Sequence, residues 1–189
     1  VFRSLFTMPM FTAPIALGYL GLTIFHEDVG AVNTILRALG VADLPRWGSE
    51  IWTARAAIVL VDVWQWTPFC FLVLLAGLSA LPEEVYEAAV LDTSSGWDIF
   101  RFVTLPLLTP VLFTVIMLRL VEAFKMLDIP FSLTNGGPGA ATQTMSFYIY
   151  LTGLRNFNQG YASAMAYFLL IAMMIIAMIF FRRMRQNFD

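Results

Sequence analysis

The amino-acid sequence predicts an all-α membrane protein, a polytopic bundle of helices that crosses the bilayer four times. Hydrophobic residues make up 59% of the 189 positions, and charged residues make up only 13%. A soluble domain has about half of its residues apolar and about a quarter charged, so lipid must cover part of this surface. Apolar and polar residues do not alternate along the chain. Helices are therefore the spanning elements that the pattern favours, because open strands cannot cross lipid.

The four predicted spans are apolar stretches near the ~20 residues that a bilayer requires. They cover about residues 4–25, 56–81, 106–128 and 161–181. The first and the last contain no charged residue, whereas the second contains Asp62. The third is uncharged to Leu118 and then carries a series of charges.

The topology follows from the arginines after the last span, at positions 182, 183 and 185. The positive-inside rule places this end of the chain in the cytoplasm. With four spans, residues 82–105 are then also cytoplasmic, and the external loops are residues 26–55 and 129–160.

The composition excludes several classes of function. A net charge of −2 provides no basic surface for nucleic acid. The one lysine, Lys125, is not part of a phosphate-binding G-x-x-x-x-G-K-[ST] loop, so we expect no nucleotide on this chain. The one histidine, His26, excludes an H-E-x-x-H zinc site, and we expect neither metal nor cofactor.

Residues 82–105 are predicted to form two short helices in water. Pro82 suits a first helical position, and the acidic pair Glu83 and Glu84 suits the positive end of the helix dipole. Residues 93–96 form a natural break, after which Ser94 or Ser95 caps a second helix that ends before Pro106.

The first of these helices has a face of small side chains. This face consists of Val85, Ala88, Ala89 and Asp92, which recur at helical spacing. Such a face suits docking into the cleft of another protein. An ordinary connecting loop is the alternative.

The charges of the third span are Arg119, Glu122, Lys125 and Asp128. They alternate in sign at intervals of three, so neighbouring members can pair along the helix. Steps of three drift around a helix, so the four cannot all face one site. Charges inside a membrane helix indicate either a pathway or a paired interior.

One face of the second span mixes hydrogen-bonding and aromatic groups. Asp62, Gln65, Trp66 and Phe69 are spaced so that they share this face. The combination suits a solute with many hydroxyl groups. An alternative is an intramembrane enzyme in which Asp62 and either Glu122 or Asp128 act as an acid–base pair.

The segment from Glu87 to Pro106 resembles the EAA loop of binding-protein-dependent ABC importer permeases. Glu87-Ala88-Ala89 is followed at family spacing by Val103-Thr104-Leu105-Pro106. The family glycine falls on Thr93, so either the turn is rebuilt around Gly96 or Thr93 adopts an ordinary turn. Further segments resemble the carbohydrate, maltose-type members: residues 64–69, 75–78, 133–138 and 160–164. Full-length relatives have additional N-terminal helices, which we expect to precede this chain.

This resemblance implies the type I ABC importer permease fold and three sets of functional residues. A cytoplasmic ATPase would receive Glu87, Ala88, Ala89, Asp92, Thr93, Gly96, Leu105 and Pro106. The solute would pass along Asp62, Gln65, Trp66, Phe69, Arg119, Glu122 and Ala123, with Met10 and Ile15 as weaker candidates. The binding protein would face Asn135, Gly136, Gly137 and Pro138.

The resemblance also implies the partners and the location. A second permease subunit would complete a heterodimer in the cytoplasmic membrane of a bacterium or archaeon. Two cytoplasmic ATPase subunits would hold ATP and Mg, and an extracytoplasmic binding protein would deliver a sugar, oligosaccharide or polyol. Import of another solute and a structural role in a larger membrane complex are the alternatives.

Overall fold

The computed structural model describes residues 2–186, and the side chains of residues 6–183. This part of the chain is helical and contains no strand, which confirms the all-α prediction. The helices are Phe2–Phe11 (α1), Pro14–Ile24 (α2), Ala31–Ala38 (α3), Ile51–Ser79 (α4), Glu83–Asp92 (α5), Gly96–Ile99 (α6), Leu105–Lys125 (α7), Met145–Tyr150 (α8) and Gln159–Gln186 (α9). Three wider π-helical segments adjoin them: Phe100–Thr104, Pro130–Thr134 and Leu151–Arg155.

Three helices of the described chain are long and apolar enough to cross a membrane. They are Ile51–Ser79, Gly96–Lys125 and Gln159–Arg183. The predicted first span, residues 4–25, differs, because α1 ends at Phe11 and α2 begins at Pro14. Pro14 cannot donate a backbone hydrogen bond to α1, and Ala13 before it is extended (φ −58°, ψ 132°).

The second helix of residues 82–105 does not end before Pro106. The π-helical segment Phe100–Thr104 joins α6 directly to α7, so one helix runs from Gly96 to Lys125. The backbone N–H of Leu105 donates to the carbonyl of Phe100 and closes the wider turn. We attribute the continuity to this turn, which gives the ring of Pro106 more room than an α-helical turn would.

The predicted external loop 129–160 begins as a buried segment. Ile129 and Leu133 pack with Leu17, Ala57, Ile58 and Val61 in the core between α2 and α4. Gly18 allows the close approach, because a Cβ there would lie 1.7 Å from the Ser132 Oγ. The absence of a side chain at Gly18 therefore lets the segment after α7 pack directly against α2.

Helix α9 packs against α7 with its C-terminal part and against α8 with its N-terminal part. Phe113 of α7 contacts Phe180 with 5.2 Å between ring centroids, and Phe124 lies beside Met173. The N-terminal part of α9 is covered instead by α8 and its π-helical continuation, where a Cβ on Gly153 would lie 2.9 Å from the Cβ of Ala162. The predicted third span, residues 106–128, is therefore continuous to Lys125, and the irregular residues 126–144 separate α7 from α8.

Candidate functional site

An ion pair joins the two helices that carry the predicted pathway residues. The guanidinium of Arg119 on α7 donates to the carboxylate of Asp62 on α4. The next two charges pair along α7 itself, with 2.7 Å between the Lys125 Nζ and the Glu122 Oε1. Arg119 therefore pairs with a different helix, whereas Glu122 and Lys125 bridge within one helix.

Aromatic rings continue this contact along α4. The Arg119 guanidinium carbon lies 4.6 Å from the centroid of the Trp66 ring, a cation–π geometry. Trp66 in turn meets Phe69 edge-on, with 5.8 Å between centroids. Asp62, Trp66 and Phe69, which are predicted to share a face of α4, are therefore connected by these contacts. Phe69 contacts Trp66 and is joined to the ion pair through that ring.

Gln65 connects this face to the break between α1 and α2. Its side chain is 4% exposed, and its Nε2 donates to the carbonyl oxygen of Thr12 at 3.4 Å. The break at Thr12 and Ala13 removes regular helical bonding at this point, and the amide of Gln65 supplies a donor there.

Two buried polar atoms in this cluster have no hydrogen-bond partner within the described residues. They are the Gln65 Oε1, an acceptor, and the Arg119 Nη1, a donor. Buried polar atoms are rarely left unpaired, because each costs on the order of 1–3 kcal/mol. The cluster therefore contains one acceptor and one donor whose hydrogen-bonding capacity is unused.

A cavity of about 260 Å³ lies beside the cluster. Its lining consists of Pro14, Asp62, Gln65, Trp66, Glu122, Lys125, Met126, Leu127, Asp128 and Ile129. Four of the seven predicted pathway residues belong to this lining, but Arg119, Phe69 and Ala123 do not. Lys125 and Asp128, the last two charges of the predicted alternating series, also line the cavity.

A second cavity of about 760 Å³ lies between α1, α2 and α4. Its lining is apolar apart from two threonines and includes Met8, Leu17, Leu60 and Trp64. Among the residues whose side chains are described, no charged group borders it, and its described lining offers little to orient a hydroxylated solute. Trp64 therefore belongs to a different surface from its neighbours Gln65 and Trp66. Met10 and Ile15 line neither cavity.

The EAA-like segment presents most of its predicted residues to solvent. Glu87, Ala88 and Asp92 are exposed, whereas Ala89 is buried. The Tyr86 hydroxyl donates to the Thr104 Oγ1 at 3.1 Å and fixes α5 against the helix that continues into α7. Gly96, Leu105 and Pro106 are also exposed on that second helix.

The structure resolves how Thr93 replaces the family glycine. Its backbone is extended (φ −148°, ψ 142°), which a β-branched residue adopts without strain. Its Oγ1 accepts a hydrogen bond from the Ser95 N–H at 3.1 Å, and the Ser95 Oγ accepts one from the Asp98 N–H. Thr93 thus adopts an ordinary turn, and Gly96 does not take a positive φ.

The sequence analysis missed the large apolar residues of this segment. Leu91 is 89% exposed, and Trp97 and Phe102 are also exposed. The signal was present, because Leu91 directly precedes Asp92 at the end of a short polar helix. The EAA-like segment therefore exposes three large apolar side chains in addition to its predicted residues.

The predicted binding-protein loop contains a turn that is held by hydrogen bonds and is partly buried. Asn135 is exposed in the left-handed region (φ 49°), whereas Gly136 is buried against Phe147. Gly137 and Pro138 are half-buried and joined by a cis peptide bond. The Thr142 hydroxyl donates to the Gly137 carbonyl at 2.8 Å and so closes the turn.

Long apolar helices around a cluster of paired charges define a multi-pass membrane protein with a polar interior. The chain belongs to the binding-protein-dependent transport system inner membrane components, a family that it matches over residues 1–189. This membership confirms the resemblance drawn from the EAA-like segment. It identifies a transport component, so the alternative of an intramembrane acid–base enzyme is wrong. The pairing of Asp62 with Arg119 agrees with that outcome.

Similar proteins carry names of sugar transport systems. The permease MalF of the trehalose/maltose system of Thermococcus litoralis is 39% identical over 86% of this chain and 55% of its own length. SmoG of the sulfoquinovosyl glycerol system of Agrobacterium fabrum is 35% identical over 86% of this chain and 53% of its own length. The probable permease y4oQ of Sinorhizobium fredii is 36% identical over 94% and 57%. The chain therefore spans little more than half the length of these relatives.

The fold is also that of solved importers. A bacterial ABC transporter that imports the acidic polysaccharide alginate matches with a TM-score of 0.83 at 22% identity, over 97% of this chain and 64% of the other. Its complex with an alginate pentasaccharide-bound periplasmic protein matches with a TM-score of 0.78. The likeness confirms the type I importer permease fold.

Proposed function

We propose that this chain is part of a permease subunit of an ATP-driven importer that carries a sugar, oligosaccharide or polyol. The cavity between α4 and α7 supports the proposal most directly. Its lining includes the aromatic residue Trp66, the carboxylate residue Asp128 and Gln65, whose Oε1 has no hydrogen-bond partner within the described residues. Hydroxyl groups of a sugar donate to such acceptors, and its apolar ring face packs on an indole. The names of the similar proteins agree with this substrate class.

The solute path in this proposal runs beside the ion pair of Asp62 and Arg119. Arg119 does not line the cavity itself, but it holds the carboxylate of Asp62, which does. At about 260 Å³ the cavity is smaller than the ~300–1,000 Å³ of a complete small-molecule site. A second permease subunit facing it would complete the site in a heterodimer.

Coupling to ATP is assigned to α5 and to the helix end that begins at Gly96. The exposed Glu87 and Ala88 would enter a groove of a cytoplasmic ATPase subunit, and Leu91 and Trp97 would add apolar contacts. Two such subunits would hold ATP and Mg. The hydrogen bond between Tyr86 and Thr104 links α5 to the helix that continues into α7. A movement of the ATPase would thereby be transmitted from α5 to the cavity.

A solute-binding protein would dock at the opposite end of α4 in the proposed importer. The turn from Asn135 to Pro138 is part of the proposed contact, with Asn135 as its exposed residue. Arg55 steadies this region, because its Nε donates to the carbonyl oxygen of Ala141 at 3.0 Å. We place the complex in the cytoplasmic membrane of a bacterium or archaeon.

The test is ATP hydrolysis by the complete transporter in lipid, against a panel of sugars and polyols. We expect one sugar to stimulate hydrolysis only when the binding protein is present. Glu87→Ala should abolish the stimulation. Stimulation by a non-carbohydrate solute alone would overturn the substrate class, and stimulation that survives Glu87→Ala would overturn the coupling assignment.

A further inference from the structure

The segment between α2 and α4, residues 26–50, is folded around one buried polar side chain. Asn33 on α3 is 1% exposed, and its Nδ2 donates to the carbonyls of Glu27 at 2.8 Å and Pro45 at 3.1 Å. Its Oδ1 accepts from the Trp47 Nε1 at 2.8 Å. The Glu27 Oε1 also accepts from the Gly48 N–H at 2.9 Å. These bonds fix α3 at the ends of α2 and α4, on the side of the membrane opposite the EAA-like segment.

Two aliphatic side chains at α3 are exposed. Ile35 and Leu39 are four residues apart and so share a face, and Leu39 is 74% exposed. Val29 and Val41, just before and after the helix, are also exposed. Val32 and Leu36 of the same helix are half-buried, so the apolar stripe is only partly covered by protein.

Lipid-facing surface flanks this apolar face on both sides along the chain. Leu22 and Ile24 are exposed in the last turn of α2, and Trp52 is exposed in the first turn of α4. The Arg55 guanidinium carbon lies 5.2 Å from the centroid of the Trp52 ring. Tryptophan and arginine at the end of a membrane helix mark the depth of the lipid head groups. The chain therefore keeps α3 near this depth, within a short segment bounded by the apolar helix α2 and the membrane-spanning helix α4.

We propose that α3 is an interfacial helix, immersed by Ile35 and Leu39 in the lipid head-group region of the bilayer. A soluble partner that binds and leaves in each cycle would expose these aliphatic side chains to water every time it departed. Lipid would cover Ile35 and Leu39 throughout the cycle. The exposed apolar residues at both ends of the segment would contact the same lipid. The helix then anchors the outer ends of α2 and α4. This proposal is independent of the transported solute.

The test uses an environment-sensitive fluorophore on single cysteines of the complete transporter in lipid bilayers. Cys70→Ser removes the one native cysteine of this chain, and the fluorophore is attached to Leu39→Cys or, as a second site, to Val29→Cys. Arg37→Cys is the matched control, because Arg37 lies on the opposite side of α3 and is exposed. Quenchers are a nitroxide carried on the lipid near the head group and iodide in the water.

We expect the lipid nitroxide to quench the fluorophore at positions 39 and 29 several-fold more than at position 37, and iodide to show the reverse order. The pattern should be the same with and without binding protein. Quenching of position 39 by iodide alone would overturn the proposal. Protection from both quenchers, or loss of lipid quenching when the binding protein is added, would show a protein on this face and would equally overturn it.

Discussion

At the scale of single residues, one ion pair between side chains joins α4 to α7. The ion pair of Asp62 and Arg119 joins residues that are far apart in the chain, and both side chains are mostly buried. Helical spacing identified the faces on which they lie. It did not identify the pairing, because partners on different helices depend on how the helices are rotated and shifted. The neighbouring pair of Glu122 and Lys125 was predictable, because it needs only the geometry of one helix.

Breaking the buried pair should destabilise the protein strongly. Asp62→Asn leaves the Arg119 guanidinium without its counter-charge, which costs about 3–5 kcal/mol for a buried pair. Lys125→Ala breaks the more exposed pair with Glu122 and should cost only about 0–1 kcal/mol. Thermal unfolding of the purified complex measures both. Equal losses for the two variants would contradict the different roles assigned to the pairs.

Glu27 should make the segment between α2 and α4 sensitive to acid. A hydrogen bond from the Ser49 hydroxyl, with further bonds from the Gly48 and Ser49 amides, holds the pKa of Glu27 below its ordinary value of 4.5. A lowered pKa stabilises the folded state fully above the unfolded value, and this stabilisation is lost as the pH falls through the folded pKa.

The thermal midpoint should therefore fall on acidification through this range, and Glu27→Gln should remove part of that dependence. Asp43→Asn, at an exposed carboxylate of the same segment, is the matched control and should leave it unchanged. An acid dependence that is identical in Glu27→Gln and the parent would refute the role of this hydrogen-bonded carboxylate.

At the scale of elements, apolar stretches predicted where helices occur, but they did not predict where a helix is broken or continues. Residues 4–25 are uniformly apolar, yet Pro14 divides them into α1 and α2. Pro106 suggested a helix end, yet the π-helical turn before it lets the helix continue. Hydropathy reports which solvent surrounds a segment, whereas these breaks depend on whether neighbouring groups can satisfy the backbone. Gln65 at the Thr12 carbonyl is such a group, and it comes from another helix.

The contact between α2 and the chain after α7 should depend on Gly18. A Cβ at this position would lie 1.7 Å from the Ser132 Oγ, so Gly18→Ala forces the two elements apart. Overpacking of this kind costs about 1–3 kcal/mol. Gly160→Ala in α9 is the control, since nothing lies within 4 Å of a Cβ there. A thermal midpoint that falls in Gly18→Ala but not in Gly160→Ala supports this packing, and unchanged midpoints in both would contradict it.

At the scale of the whole molecule, composition and one short motif were enough to define the class. The EAA-like segment was recognisable because its residues are adjacent in sequence, and the family match confirms it. The cavity was only half predictable. Its α4 residues follow from helical spacing, but Asp128 and Met126 line it because residues 126–144 fold back onto α2. That fold depends on Gly18 and Gly21 of another helix, which no local pattern connects with Asp128.

The most direct test of the central claim is uptake of the stimulating sugar into proteoliposomes that contain the complete transporter and ATP. Gln65→Met keeps the side-chain volume but removes the unpaired Oε1 acceptor of a residue that lines the cavity, together with the Nε2 donor to the Thr12 carbonyl. We predict that it lowers uptake about tenfold, equivalent to ~1.4 kcal/mol. Trp64→Phe, in the apolar cavity on the other side of α4, should leave uptake unchanged. Full uptake by Gln65→Met, or an equal loss in Trp64→Phe, would contradict a solute path between α4 and α7.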